Sequence, residues 1–190
     1  ILKTIQLMPG ISTVSEGGSG FSVRGGSTDQ NLILLDESPI YSASHLMGFF
    51  SVFNSDAIKG MTVYKGGIPA RYGGRGSSVL DIYMRDGNSR KFEASGGIGL
   101  ISSRLTVEAP IVKDRMSFIV SGRRSYLDLA AKAAGQLDDN MSLYFYDLNT
   151  KLNYRINDNN RIYLSGYFGE DSFSFDDIGT SWGNATGTLR

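Results

Sequence analysis

The sequence predicts an α+β fold in two parts. Residues 1–88 read as a small mixed sheet with short helices, and residues 89–190 as a run of long antiparallel β-strands. Three observations carry this. The chain of 190 residues holds 24 glycines, 10 tyrosines and 10 phenylalanines, a composition that favours turn-rich β structure over helix. The stretch Ser142–Ile156 alternates with period two, with Tyr144, Tyr146, Leu148, Thr150, Leu152, Tyr154 and Ile156 on one face and Phe145, Asp147, Asn149, Lys151, Asn153 and Arg155 on the other. Between the parts lies Arg85–Lys91, a polar, turn-forming run where the pattern changes and where a domain boundary is expected.

In the first part, Leu2–Met8 is a short apolar helix candidate stopped by Pro9-Gly10. Ser12–Gly20 reads as a Gly/Ser loop. Its Gly17-Gly-Ser-Gly20 run is like a phosphate-binding loop, but no strand precedes it and no helix follows, so a turn is the better reading. Phe21–Arg24 and Leu32–Asp36 read as strands. Leu32–Leu35 is continuously apolar, as in a strand buried on both faces. Pro39–Met47 reads as a loop and Ser55–Ile58 as a capped helical turn. The strand-like runs Met61–Tyr64 and Ser78–Met84 flank a middle containing Gly66, Gly67, Pro69, Gly73, Gly74 and Gly76, with Arg71, Tyr72 and Arg75 among them. A plain hairpin needs about two turn residues, so this longer, charged loop is expected to contact something.

In the second part five strands are expected: Phe92–Leu100, Arg104–Pro110, Met116–Arg124, Leu143–Ile156 and Arg161–Ser174. Val112–Arg115 and Asn157–Asn160 read as tight turns. Ser125–Ser142 reads as a longer loop with a helical Leu127–Ala134 ended by Gly135. The strand over Ser142–Ile156 exceeds the usual globular length of about five or six residues. That length fits two architectures, a tilted membrane-spanning strand and a large soluble β-sandwich.

Composition narrows the function classes. The formal net charge is zero, from 19 basic and 19 acidic residues, which points away from nucleic acid. There is no cysteine, hence no disulfide or thiolate metal site. No run of about 18 apolar residues occurs, which excludes a membrane-spanning helix but not a membrane barrel. The chain starts at Ile1 rather than Met, so it is expected to be cut from a longer protein, and the lack of a signal peptide carries no weight. His45 is the only histidine, too few for a metal site or a triad. Ser77-Ser78 has no base at useful spacing, Asp138-Asp139-Asn140 lacks the Gly and distal Glu of a calcium loop, and Arg123-Arg124 is too short for a nucleic-acid patch. No enzyme chemistry and no cofactor are implied.

Five elements, in order, resemble the plug domain of TonB-dependent outer-membrane receptors. They are Met8-Pro9-Gly10-Ile11, Phe21-Ser-Val-Arg-Gly25, Leu34-Leu-Asp-Glu-Ser-Pro-Ile40, Ala57–Gly66, and Lys65-Gly-Gly-Ile-Pro-Ala-Arg-Tyr-Gly73 with Gly76-Ser-Ser-Val-Leu-Asp-Ile82. Glu37 stands where that family usually has Gly. The resemblance implies the later half of a plug, then the first strands of a barrel of about 22 strands in the outer membrane of a Gram-negative bacterium, the plug lying in its lumen. With the first strand rising from the periplasm, both tight turns fall on the periplasmic side and the long loop outside. The first part of the plug and the TonB-contacting segment are expected to lie outside this sequence.

The implied function is TonB-driven uptake of a scarce ligand: a siderophore, cobalamin, oligosaccharide or peptide. Tyr72-Gly-Gly-Arg-Gly-Ser departs from the Tyr-Gly-Ser-Arg-Gly-Ala usual in the polysaccharide-uptake subgroup, so the ligand stays unassigned. The polar loops Ser27–Asn31 and Ser42–His45 are expected to form the plug's share of the binding surface, with Asp29, Gln30, Asn31, Ser42 and His45 as candidates. By the family's plug–barrel contacts, Arg24, Arg71 and Arg75 are candidates for coupling, with Glu108 as a barrel acid. The expected partners are TonB and outer-membrane lipid. Unpaired strand edges make an oligomer a further expectation. The alternative is a soluble β-rich binding or adhesion module of the cell envelope. A barrel hydrolase is disfavoured by the lone His45.

Overall fold

A computed structural model describes residues 2–14, 18–133, 135, 141–175 and 178–190. The chain forms two compact units, Ile1–Met84 and Arg85–Arg190. Within the described residues the elements are α1 (Leu2–Ile5), β1 (Ile11–Thr13), β2 (Phe21–Val23), β3 (Asn31–Leu35), β4 (Ser38–Pro39), β5 (Ser44–His45), β6 (Phe50–Ser51), β7 (Ile58–Tyr64), β8 (Ser78–Met84), β9 (Glu93–Ile98), β10 (Ser102–Val112), β11 (Met116–Ser125), α2 (Leu127–Ala133), β12 (Met141–Arg155), β13 (Arg161–Phe175) and β14 (Ile178–Leu189). Single 3₁₀ turns cover Thr28–Gln30 and Leu46–Gly48.

The first unit is built on a mixed sheet in the order β4-β3-β8-β7. β8 pairs parallel with β3 and antiparallel with β7. As the central strand it is buried on both faces, and one of them carries Leu80, Ile82 and Met84. β3 and β4 join through Asp36 and Glu37, both with positive φ (47° and 71°). Glycine takes such angles without steric cost, which gives a physical meaning to the family's Gly where this chain has Glu37. Asp36 is held in place because its carboxylate accepts the Met84 backbone N–H at 2.9 Å.

Several expectations for this unit need correction. The first helix ends at Ile5 rather than Met8. Ser12 and Thr13, read as the start of a loop, belong instead to β1, paired antiparallel with β2, while Gly17 lies outside the described residues. Pro39–Met47 contains the short strand β5, paired with β6. Ser55 does not cap a helix: Asn54 accepts the Asp56 N–H on its side chain and the Ala57 N–H on its carbonyl, closing a turn that feeds β7.

The second unit is one antiparallel sheet in the order β14-β13-β12-β11-β10-β9. The five expected strands are present within a few residues of their expected ends. A sixth, β14, was not expected; it pairs with β13 from Leu164↔Leu189 to Phe175↔Ile178. Asp138, Asp139 and Asn140 lie outside the described residues, as does Ala134.

Burial in this sheet is inverted relative to a water-soluble layer. Thr106 and Glu108 of β10, Ser117 and Ser121 of β11, Asp147, Asn149 and Lys151 of β12, and Ser165 and Asp171 of β13 are buried. The alternate positions expose large apolar groups, including Leu105, Leu148, Ile162, Leu164 and Phe168, with Leu148 at 42% and Leu164 at 52%. A strand in water hides its apolar side; a strand of an outer-membrane barrel turns that side to lipid and keeps its polar side within. The segment that opens this unit is fastened to the sheet. Arg85 pairs with Glu108 at 2.6 Å, Asp86 with Lys151 at 3.1 Å, the Ser117 hydroxyl donates to the Asp86 carbonyl at 2.8 Å, and Arg90 pairs with Asp114 at 3.0 Å.

Candidate functional site

The candidate ligand loops meet in the first unit around a cavity of about 660 Å³. Asp29, from the 3₁₀ turn Thr28–Gln30, lines it together with Ser42, the exposed Tyr41 and Met47, and Arg75 from the glycine-rich loop after β7. Asp29 is exposed and accepts the Ser27 hydroxyl. That hydrogen bond, then its own backbone N–H and the nearby Arg75, hold its carboxyl below the ordinary aspartate value. The wall therefore offers an ionised carboxylate, a guanidinium, a hydroxyl and apolar surface. Such a mixture suits an amphipathic ligand with polar groups at fixed positions.

Asn31 also lines this cavity, whereas Gln30 and His45 do not. Asn31 is not on a loop but opens β3, where it is buried. Its amide nitrogen donates to the carbonyls of Phe21 (2.9 Å) and Thr28 (3.2 Å), and its oxygen accepts the Ser78 hydroxyl (2.7 Å). The side chain thus pins β2 and β8 to β3. His45 is also buried, inside β5 rather than on an exposed loop. Gln30 lines a second cavity of about 420 Å³, with Arg24, Lys65 and Ser77.

Of the coupling candidates, Arg24 follows β2 with φ 51°. Its guanidinium lies so close to Gly66 that a Cβ there would come within 2.6 Å of Nη1. Arg71 is directed at Tyr72, donating to the phenol oxygen at 2.8 Å with its guanidinium 4.7 Å from the ring centre. Glu108 is buried in β10 with Arg85 as its ion-pair partner. The first unit does not join Arg24, Arg71 and Arg75 into one cluster: they serve the second cavity, a tyrosine and the first cavity in turn.

Two further groups were not anticipated. Tyr41 and Met47, 85% and 77% exposed, add apolar surface to the first cavity; only their place in a turn-rich segment hinted at this. Asp81 sits in the otherwise mostly apolar β8 and is 1% exposed. Its Oδ2 accepts both the Tyr72 and Tyr83 hydroxyls at 2.6 Å. A lone acid inside an apolar strand was the available signal, because a buried carboxylate requires donors.

Comparison with known proteins agrees with this architecture. Residues 1–79 match the family model described as TonB-dependent Receptor Plug Domain. No curated protein matches the chain. Among solved structures, the siderophore receptor PirA from Acinetobacter baumannii superposes with a TM-score of 0.64 at 19% identity, over 93% of this chain and 30% of that one. PirA from Pseudomonas aeruginosa gives a TM-score of 0.65 at 17% identity, over 99% of this chain and 34% of that one. A mutant of the ferric enterobactin receptor PfeA from Pseudomonas aeruginosa, in complex with enterobactin, gives 0.59 at 18% identity, over 91% and 31%. The chain thus spans about a third of the length of these receptors. Residues 1–79 thus match the plug domain of TonB-dependent receptors, and the chain shares the fold of such receptors through the strands that follow.

Proposed function

We propose that this chain is part of an active uptake receptor in the outer membrane of a Gram-negative bacterium. The region before Arg85–Lys91 acts as plug and the strands beyond it as barrel wall facing lipid. Transport is driven through TonB and involves no bond chemistry on the ligand. The observation that carries this reading is the inverted sheet, with Asp147, Asn149 and Lys151 buried while Leu148, Leu164 and Phe168 are exposed. The cavity lined by Asp29, Ser42 and Arg75 is the plug's share of the ligand site. Ferric siderophores are the ligand class to test first, because the receptors whose fold this chain shares bear that function in their names. Coupling of plug to barrel rests best on Arg24, which makes no ion pair among the described residues, whereas Arg71 is engaged by Tyr72 and Glu108 by Arg85.

The test is uptake of a panel of radiolabelled ferric siderophores by cells carrying the intact receptor, with and without the membrane potential. Energy-dependent uptake of one of them is expected. Asp29→Ala with Arg75→Ala should weaken binding of that compound at unchanged surface abundance. Arg24→Ala should spare binding and slow uptake. Unaltered affinity in the double variant would remove the cavity from the ligand site, and uptake indifferent to the membrane potential would sink the transport reading.

A further inference from the structure

The loop between β7 and β8 contributes to both cavities of the first unit. Gly73, Gly74 and Arg75 line the larger one, and Gly66, Gly67 and Ser77 the smaller. This loop is fastened at its two ends. Lys65 donates to the Pro9 carbonyl at 2.8 Å, while Ser77 donates its backbone N–H to Gln30 O at 3.0 Å and its hydroxyl to Val23 O at 2.8 Å. Its middle is bare: a Cβ built at Gly67, Gly73, Gly74 or Gly76 would meet nothing within 4 Å. The Tyr72 hydroxyl ties that middle to the central strand, donating to Asp81 Oδ2 at 2.6 Å, while Arg71 is in reach of the Tyr64 hydroxyl at the end of β7.

The geometry around this bond is selective. The Tyr72 ring packs against Tyr64 with centroids 5.4 Å apart, and Arg71 approaches its other polar contact, donating to the phenol oxygen at 2.8 Å. Tyr72 can therefore accept from Arg71 while donating to Asp81, as a hydroxyl allows. Asp81 is fixed on the central strand and cannot follow the loop. Its other oxygen, Oδ1, is buried and takes no hydrogen bond, so the carboxylate depends on the two tyrosine donors for its solvation. Burial and the adjacent carboxylate push the Tyr72 phenol above the ordinary tyrosine range, so it remains a donor at neutral pH.

We propose that Tyr72 and Asp81 form a latch that holds the glycine-rich loop as a wall of both cavities, making Tyr72 the positioning residue for Arg75. When the latch is made, Arg75 stands at the first cavity and Gly66–Gly67 close the second. When it is broken, the middle of the loop keeps only the contacts of the Tyr72 ring and Arg71 with Tyr64 and the attraction of Arg75 for the exposed Asp29, none of which fixes it to the central strand, and both walls move together. The two cavities are thus coupled through one hydroxyl. The role given to Arg75 rests on reading the first cavity as the ligand's contact; the latch itself does not.

With any cysteine elsewhere in the receptor replaced by serine, Gly73→Cys gives a single attachment point for a nitroxide in a position with open space around it. The experiment compares electron paramagnetic resonance line shapes of this labelled chain, within the intact receptor in detergent, without any ligand. Tyr72→Phe keeps the ring and its packing and removes the donor; the mobile fraction of the spectrum should at least double. Asp81→Asn exchanges a charged acceptor for a neutral one, which weakens the hydrogen bond, and should give an intermediate spectrum. Tyr83→Phe removes the other donor to Asp81 and should leave the label as immobile as in the parent. A parent-like spectrum for both Tyr72→Phe and Asp81→Asn overturns the latch. So does equal mobilisation by Tyr83→Phe, which would mean that the network stabilises the unit without positioning the loop. Because no ligand is present, this outcome is independent of whether the cavity binds a siderophore.

Discussion

The Arg123–Asp147 pair provides the sharpest energetic test of the inverted sheet. The two residues face each other across β11 and β12, and both Nε (2.7 Å) and Nη2 (2.5 Å) of Arg123 donate to the same carboxylate oxygen. The Arg123 side chain is 15% exposed and that of Asp147 0%. Arg123→Met preserves the aliphatic reach of the side chain and its packing near Phe145, over which the guanidinium lies at 5.0 Å, but takes two charged donors from a buried carboxylate oxygen. Removing one partner of a buried pair costs about 3–5 kcal/mol, whereas exchanging both for apolar groups is often neutral. The double variant Arg123→Met with Asp147→Leu should therefore lose far less than the single one, leaving a coupling energy at the upper end of the usual range of roughly 0.5–3 kcal/mol. The assay is urea-titrated folding of the receptor into lipid vesicles, followed by tryptophan emission, to which Trp182 on β14 contributes. A cost below about 1 kcal/mol for Arg123→Met, or a double variant as unstable as the sum of the singles, would refute the view that this face is sealed from water.

Three other outcomes are expected. Leu164→Arg, on the exposed apolar face of β13, should cost about 2–4 kcal/mol if it lies near the bilayer midplane, and labels at Leu164 but not at Lys151 should be quenched by a lipid-soluble quencher. Asn31→Ala leaves the Phe21 carbonyl and the Ser78 hydroxyl short of a partner and should destabilise the first unit by about 1–3 kcal/mol per stranded group, read from its unfolding midpoint. The Asp29 carboxyl lies below its ordinary value in the folded chain, chiefly through the Ser27 hydroxyl. Its stabilising share is therefore complete above the ordinary value of 3.8 and lost as pH falls through the lower folded value. A titration of labelled Asp29 should show this depression, and Ser27→Ala should abolish most of it.

What could be read from the sequence follows from how strongly each segment declares itself. Period-two alternation placed β10–β13 within a few residues because large apolar side chains alternate there with small polar or charged ones, most plainly in β12. The same period exists in β14, but its positions are filled by Gly, Thr, Ser and Ala, whose hydropathies scarcely differ. That strand is specified by its ladder with β13 rather than by its own side chains. β1 escaped notice for a related reason: Ile-Ser-Thr is too short to show a pattern and owes its form to pairing with β2. Polarity alone suggested that Asn31 would meet a ligand. A polar side chain with three backbone and hydroxyl partners nearby is equally a structural pin, and only the fold reveals those partners. Glu108 was expected to meet an arginine of residues 1–88, and the partner the structure gives it is Arg85 rather than Arg24, Arg71 or Arg75. The ionised and hydroxyl groups around the first cavity were legible as polar loops, whereas Tyr72 could be assigned its partner only once Asp81 was seen to face it.

Among the described residues, the six-stranded sheet has two open sides, β9 and β14. Its side chains are suited to hydrocarbon on the outer face, but its backbone is not. Along an edge strand about half of the amide and carbonyl groups point away from the sheet. On β14, with 12 residues, this leaves a row of dipoles that water can solvate and lipid cannot, each unsatisfied group costing several kcal/mol in the bilayer core. The wall can therefore enter a membrane only together with strands that complete both edges. Pairing along β9 and β14 must come before, or with, insertion.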